Sequence, residues 1–461
     1  MEFWNISDIK KEVVAPTERI KHSEQRALER SIKEGTAGSI SNLGDTFITP
    51  FALLLKASPF QIGMLSSLSS LIAPITQLGG AKLMERHPRK KIVLFFVLAQ
   101  ALTWIPIAIL SLLAWKDIIP LALPYLAILI YTLVVALGGF AHPSWFSWMG
   151  DLVPPNKRGK YFTIRNKVTG AVGLGAVLIG AFILDYFKTH GLVLLGFSII
   201  FVLSFIFRMI SFSYFRKQFA PKFKLQKGYY FSFWQFLKRF DNYGKYSVYK
   251  LFFYLALMTA SPFFTVYMLQ ELKFSYVTFI IVSISASVFY LILAPLAGKF
   301  SDKFGNMKLM YLGGFAISVY PLCWIFIKSP IWLILIPQLI SGIANAALTI
   351  AFTNFTYDSV SPQKRGICVA YESLLIGIGS FIGSLIGGYI ISSLHPSSMN
   401  PFIFVFIISA AARFLASFIF LPHLEEERKV ERLPPMHVQL THPFKTLHSE
   451  IGWFKSIFIV G

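Results

Sequence analysis

The chain has 461 residues, of which 55% are hydrophobic and only 14% charged, with a formal net charge of +21 and a mean hydropathy of +0.61. A water-soluble protein of this composition would expose more apolar surface than it can keep from aggregating, so a large soluble enzyme is excluded. The apolar residues fall in blocks of about 20 separated by short polar stretches, the pattern of a chain that crosses a membrane many times.

In chain order, the first stretch is charged and mixed and lacks the apolar run of a signal peptide, so nothing is expected to be cleaved from it. It reads as a tail, 1–34, whose residues 8–34 suit an amphipathic surface helix. Six spans follow near 37–56, 60–81, 92–115, 121–149, 162–184 and 192–214, forming a half over 35–215. A basic linker occupies 216–247. Six more spans lie near 248–270, 276–298, 308–328, 331–356, 367–391 and 401–421, forming a second half over 248–422, and a second tail runs over 423–461. Its apolar end, IGWFKSIFIVG, is too short to span. Of the 43 lysines and arginines, 36 fall in the segments on one side of these spans, which predicts that both termini are cytoplasmic and the chain sits in the cell membrane. The charge is therefore a signal to the inner leaflet and not to nucleic acid. Cys323 and Cys368 lie in apolar runs and imply no disulfide framework.

The two halves repeat. DLVPPNKRGK at 151–160 returns as DSVSPQKRGI at 358–367. LKAS at 55–58 returns as LKFS at 272–275, and AKLMERHPRKKI at 81–92 as GKFSDKFGNMKL at 298–309. Arg208 in span 6 answers Arg413 in span 12. Two six-span halves with a basic G-x-x-x-D-[RK]-x-G loop after the second span of each resemble the major facilitator superfamily, over residues 35 to about 422. The second copy, GKFSDKFG, matches that loop; the first departs from it with Glu85 in place of Asp and Pro88 in place of Gly. The resemblance implies an all-α fold of twelve transmembrane helices in two pseudo-symmetric halves, a central cavity, and alternating access by rocking of the halves.

In each repeated stretch the acid and the Arg seven residues on, Asp151 with Arg158 and Asp358 with Arg365, are placed to clasp the loop, or to clasp it and gate the cytoplasmic side together with Glu85 and Asp302. Carrying the repeat onward sets Arg165 in span 5 opposite Glu372 in span 11, a candidate charge pair across the halves. The glycines of span 11, Gly379, Gly383, Gly387 and Gly388, suit a sliding interface; they resemble an antiporter signature of the family, with Ser384 at its proline. Gly173, Gly175 and Gly180 in span 5, its usual place, do not complete it.

Ionisable groups deep in a span are functional candidates by default. Asp45 lies about 12 Å into span 1, near the middle of a core roughly 30 Å thick, with Asn42, Thr46 and Thr49 on the same face. It is the candidate proton carrier, the alternative being an acid bonded to a neighbouring helix for structure. Span 10 carries a polar stripe at helical spacing, Gln338, Ser341, Asn345, Thr349, Thr353 and Thr356, expected to line a cavity. In span 4, His142 is either a packed polar group or a proton carrier, Trp145 a cavity candidate, and Trp145 and Trp148 alternatively interface anchors. Arg208 and Arg413 are expected to snorkel or pair for structure.

Taken together, these residues point to secondary active transport of a small organic solute, coupled to protons and leaning toward export. The alternatives are a facilitative uniporter or importer of a polar metabolite, or a non-transporting receptor or scaffold. No Walker A, H-E-x-x-H or G-x-S-x-G pattern suggests an enzyme, and no cofactor or metal is expected. The expected partners are a small-molecule substrate, protons and the lipid bilayer, with the chain acting as a monomer.

Overall fold

The computed structural model describes residues 18–118, 121–153, 158–220, 232–393 and 399–431. The apolar end 451–461 and the first part of the expected surface helix therefore lie outside the described residues. Among the described residues, eleven helices are long and apolar enough to cross a membrane: Pro59–Leu83, Arg89–Trp115, Leu123–Leu152, Tyr161–Thr189, Val193–Lys217, Asn242–Glu271, Tyr276–Phe304, Asn306–Phe326, Pro330–Ser359, Lys364–Ser393 and Pro401–His423. These are the expected spans 2 to 12. Span 1 is instead a pair of helices, Glu18–Ser41 and Leu43–Leu54, joined at Asn42. Helical bonding continues through the joint, with the Asn42 N–H donating to Gly38 O at 3.2 Å and the Thr46 N–H to Asn42 O at 3.2 Å.

The helix starts follow from local chemistry. Ser58 and Gln61 form a capping box ahead of span 2, with Pro59 in the first turn. Asp241 accepts the Gly244 N–H at 2.9 Å to open span 7, and Asn400 accepts the Phe402 N–H at 2.9 Å to open span 12. The repeated LKAS and LKFS stretches close spans 1 and 7 in the same way. Lys56 and Lys273 both adopt the left-handed conformation, at φ 61° and 52°.

The described residues separate into two compact units, one drawn from Met1–Lys227 and Ser275–Val277, the other from Gly228–Phe274 and Thr278–Gly461. In the first, span 1 packs on spans 5 and 6, and span 3 on spans 4 and 6; in the second, span 7 packs on spans 11 and 12, and span 9 on spans 10 and 12. The core of the first centres on Phe51, Trp104 and Phe201, with ring centroids 5.0 Å apart for Phe51 and Phe201 and 5.9 Å for Trp104 and Phe201. That of the second is rich in tyrosine, with Tyr243, Tyr246 and Tyr249 fully buried.

Two expectations, for the segment before span 1 and for Trp148, are corrected, and the span 11 glycines and Arg413 acquire definite contacts. Where it is described, the segment before span 1 is no surface helix: within Glu18–Ser41, Ala27 and Ser31 are buried against the first half. The glycines of span 11 let it approach span 7 closely inside the second half. A Cβ on Gly379, Gly383 or Gly387 would overlap the carbonyl oxygens of Leu251, Leu255 and Thr259 on span 7. Trp148 is no interface anchor but a buried core residue whose Nε1–H donates to Phe219 O at 2.9 Å. Of the two readings of Arg413, snorkelling or pairing for structure, the geometry agrees with the second: it is 1% exposed and donates to Ile317 O, Leu257 O and Ser409 Oγ.

In the second repeated stretch the clasp differs from the expected pairing, and in both the acid has a partner from another span or from beyond it. Asp151 at the end of span 4 takes Arg89, the first residue of span 3, at 2.7 Å. Asp358 at the end of span 10 accepts from Asn306, the first residue of span 9, at 2.9 Å, and takes Arg428 from beyond span 12 at 2.6 Å. Arg365 turns instead to carbonyls left open by the end of span 10, Tyr357 O at 3.0 Å and Val360 O at 3.1 Å. The side chain of Arg158 lies outside the described residues. Glu85 is exposed, and Asp302 is exposed with Arg428 at 3.7 Å.

The glycine of the second G-x-x-x-D-[RK]-x-G loop has a backbone reason. Gly305 sits at φ +97°, and a Cβ there would press on the Glu426 carboxylate, which accepts the Met307 N–H at 2.8 Å and so caps span 9. In the first copy Pro88 stands at φ −60°, where proline is at ease. Gly305→Ala is thus expected to destabilise the fold by about 1–2 kcal/mol, and Pro88→Ala by much less. Melting curves of the purified variants check this, and equal midpoints for Gly305→Ala and the parent would contradict the argument.

Candidate functional site

A cavity of about 360 Å³ opens within the first half, lined by Glu34, Gly38, Ser39 and Asn42 of span 1, His142 and Trp145 of span 4, Arg165 and Thr169 of span 5 and Arg208 of span 6, among others. The small residues Gly35, Gly38 and Ser39 leave the room that larger side chains on span 1 would fill.

The charges of this cavity are organised by one buried pair. Arg165 Nη2 lies 3.2 Å from Glu34 Oε2, both side chains being under 10% exposed. The Ser211 hydroxyl donates to Glu34 Oε1 at 3.1 Å, and Arg165 Nε donates to Ser31 O at 3.3 Å. Its guanidinium also lies 5.2 Å from the Trp145 ring. Asp45 is exposed, shares a side-chain hydrogen bond with Tyr131 of span 4, and lies within electrostatic reach of Arg208. Arg208 also feels Glu34, yet its Nε is buried without a hydrogen-bond partner among the described residues.

The second half holds a matching pair of reversed sign. Lys250 of span 7 pairs with Glu372 of span 11, which also accepts from the Tyr243 hydroxyl. The ammonium lies 4.7 Å from the Phe352 ring centroid and 5.2 Å from that of Tyr246. Arg165 and Glu372 therefore each find a counter-charge inside their own half, on spans 1 and 7, so neither needs the other to be neutralised.

Among the cavity candidates, Asn42, His142 and Trp145 are brought together in the first half, while Thr49 lies deeper on span 1 outside the lining. His142 is exposed, its ring 5.8 Å from Trp145. The stripe of span 10 splits. Asn345, Thr349 and Thr353 are exposed, whereas Gln338, Ser341 and Thr356 are buried, Gln338 against the Tyr320 hydroxyl and Thr356 against those of Tyr243 and Tyr246. Glu34 and Lys250 are the residues that sequence reasoning passed over, while Arg208, expected to snorkel or pair for structure, lines the cavity instead. A usable signal existed for Glu34: Ala27, Ser31, Glu34 and Gly38 recur at three- and four-residue steps, a small-residue face that continues span 1 backward.

Twelve spans in two repeated halves, each braced by an ion pair and one enclosing a polar cavity, describe a membrane carrier. Residues 36–239 and 247–459 match the family described as Major Facilitator Superfamily, and the chain belongs to it. The family consists of non-enzymatic carriers. Over 100 residues it is 32% identical to vacuolar basic amino acid transporter 2 of Saccharomyces cerevisiae, covering 22% of this chain and 21% of that one. Over 139 residues it is 29% identical to multidrug resistance protein 1 of Bacillus subtilis, covering 30% of this chain and 34% of that one. The chain thus spans between a fifth and about a third of the length of these relatives. Among solved structures, a D-xylose–proton symporter superposes with a TM-score of 0.66 at 14% identity, covering 88% of this chain and 99% of that one. A bacterial homologue of the iron transporter ferroportin in its inward-facing state gives 0.65 at 15% identity, covering 87% and 98%. At these identities the superpositions establish the fold.

Removing one partner of a buried ion pair strands the other charge, which typically costs about 3–5 kcal/mol. Glu34→Gln and Arg165→Met are each expected to lower the melting midpoint strongly, and the double variant to lose clearly less than the sum of the two. A double-mutant cycle on thermal unfolding measures this, and additive losses would mean that the pair does not brace spans 1 and 5.

Proposed function

We propose that the chain is a proton-coupled secondary transporter of a small polar organic solute, with Asp45 as the proton-carrying group. The observation that carries this reading is a carboxyl within a span, hydrogen-bonded to Tyr131 and within electrostatic reach of Arg208, which itself lines the cavity. A proton arriving at or leaving Asp45 changes the charge beside the solute cavity, which couples the two events. The names of the relatives, an amino-acid transporter, a multidrug resistance protein and a proton symporter, support a transported organic solute.

In this reading both termini face the cytoplasm in the cell membrane, as the distribution of basic residues suggests, and export is the working direction. Asn42, Thr49, His142 and Trp145 of the first half, with Asn345 and Thr349 of the second, are the proposed contacts along the solute's route, while Gln338 holds Tyr320 behind them. Glu85, Asp151, Arg158, Asp302, Asp358 and Arg365 belong to the cytoplasmic gate, where the pairs of Asp151 and Asp358 tie the inner ends of each half so that each moves as a unit. Arg165 and Glu372 serve that gate through their partners Glu34 and Lys250.

Proteoliposomes loaded with a pH-sensitive dye and challenged with amino acids, sugars, nucleosides and lipophilic cations test the reading. One of these classes is expected to drive proton movement in the parent, and Asp45→Asn to abolish it while solute exchange without a gradient persists. Unaltered solute-driven proton movement in Asp45→Asn would remove Asp45 from the role. A second measurement addresses span 10. Cysteines at Asn345 and Thr349 are expected to react with a polar thiol reagent and to be shielded by the solute, whereas a cysteine at buried Leu348 stays unreactive. Equal labelling at all three positions would remove the stripe from the route.

A further inference from the structure

We infer that Arg208 is the anchor for a carboxylate, and that the solute bound in the cavity of the first half is a small organic carboxylate. This deepens the proposed function and rests on that cavity being the solute's site.

The two arginines of the cavity differ in what they already hold. Arg165 is committed, with Nη2 on Glu34 and Nε on Ser31 O. Arg208, three residues before Ser211 on span 6, is not. The carboxylate that would be its natural partner is occupied, Glu34 Oε2 by Arg165 at 3.2 Å and Oε1 by the Ser211 hydroxyl at 3.1 Å. Asp45 shares its hydrogen bond with Tyr131. Both acids supply Arg208 with attraction at a distance, and neither supplies a hydrogen bond among the described residues. A guanidinium offers five N–H donors in a planar fork. Leaving such donors unmet inside a membrane protein is unfavourable unless something else meets them.

The pseudo-equivalent arginine of the second half shows the alternative. Arg413 is satisfied by Ile317 O at 3.0 Å, Leu257 O at 3.1 Å and Ser409 Oγ at 3.1 Å, and it is closed off from any ligand. Arg208 has no such set, and it stands at the wall of the 360 Å³ cavity, 3.8 Å from where a side chain on Gly38 would begin. Glycine at 38 therefore keeps the approach to the guanidinium clear.

The fork favours an oxyanion that presents two oxygens side by side. Two oxygens on one carbon, in one plane, match two parallel N–H groups of arginine. The rest of the cavity wall favours an organic body over an inorganic ion, because Val93, Val97, Trp145 and Phe215 are apolar or aromatic. Its volume lies at the lower end of the range usual for small-molecule sites, suited to a compact solute.

The test uses the full chain purified in detergent, with no gradient. Three carboxylates, benzoate, succinate and L-leucine, are compared with benzamide, succinamide and L-leucinamide by thermal shift and by calorimetric titration. At least one acid is expected to bind at least tenfold more tightly than its amide. That acid's affinity is expected to fall tenfold or more in Arg208→Lys, which keeps the charge and loses the fork, and to vanish in Arg208→Gln. The acid–amide comparison on the parent stands even if Arg208→Gln does not fold. Equal affinity for acid and amide, no binding by any of the three acids, or undiminished affinity in Arg208→Gln or Arg208→Lys would each overturn the anchor. Failure here with solute-driven proton movement intact overturns the anchor alone. Carboxylate binding without any proton movement in proteoliposomes overturns the coupled reading and leaves the anchor standing.

Discussion

Each half of this carrier depends on one ion pair buried between its first and fifth spans. Glu34 with Arg165 and Lys250 with Glu372 sit where helices pack closely, and all four residues are under 10% exposed. Charges buried to this depth persist only if each is matched by a partner and further hydrogen bonds. Ser211 and Ser31 supply those bonds in the first half, and the hydroxyl of Tyr243 with the faces of Tyr246 and Phe352 in the second. The requirement for a partner explains why Ser31 and Glu34 face inward on a helix that otherwise reads as a charged tail. It also accounts for the tyrosines clustered at the start of span 7.

The spans were legible because an apolar run of about 20 residues has one stable fate in a membrane. The halves were legible because loops repeat where backbone geometry is constrained, as at Lys56 and Lys273 in the left-handed region. The start of span 1 was not legible. Arg26, Glu29, Arg30, Lys33 and Glu34 break the apolar pattern, and hydropathy cannot tell a charge that is paired inside from one that is solvated. The partner of each acid was illegible for a related reason. Sequence proximity favoured Arg158 for Asp151 and Arg365 for Asp358. The fold instead returns the end of span 4 to the start of span 3, and the end of span 10 to the start of span 9, so the acids meet Arg89 and Asn306. Asp45, Asn42, His142 and Trp145 were visible as polar or aromatic residues in apolar surroundings, although their assembly with Arg208 depends on packing.

The register between the halves carries more information than either half alone. LKAS and LKFS are offset by 217 residues, yet Glu34 and Lys250, which play the same structural part, are offset by 216. The difference has a local cause. Residues Tyr267–Glu271 in span 7 form a π-turn, which inserts one residue into a helix without changing its course. The closing bonds register the insertion. The Ala57 N–H reaches back five residues to Ala52 O, and the Phe274 N–H six residues to Met268 O. Once that residue is allowed for, acid on span 1 and base on span 5 stand against base on span 7 and acid on span 11.

Equivalence of position therefore does not fix the role of a charge; the hydrogen bonds around it do. The brace tolerates reversed polarity because an ion pair is indifferent to which helix supplies which sign. The arginines of spans 6 and 12 diverge more deeply. Arg413 is drawn into carbonyls of two neighbouring spans and becomes part of the frame. Arg208 faces a helix opened by Gly35 and Gly38, beside an acid already bound by another arginine and a serine. The brace of the first half thus has a second consequence. With Glu34 engaged by Arg165 at one oxygen and by Ser211 at the other, a guanidinium is left at the cavity wall with donors to offer, and a structural ion pair helps set the terms on which a solute is received.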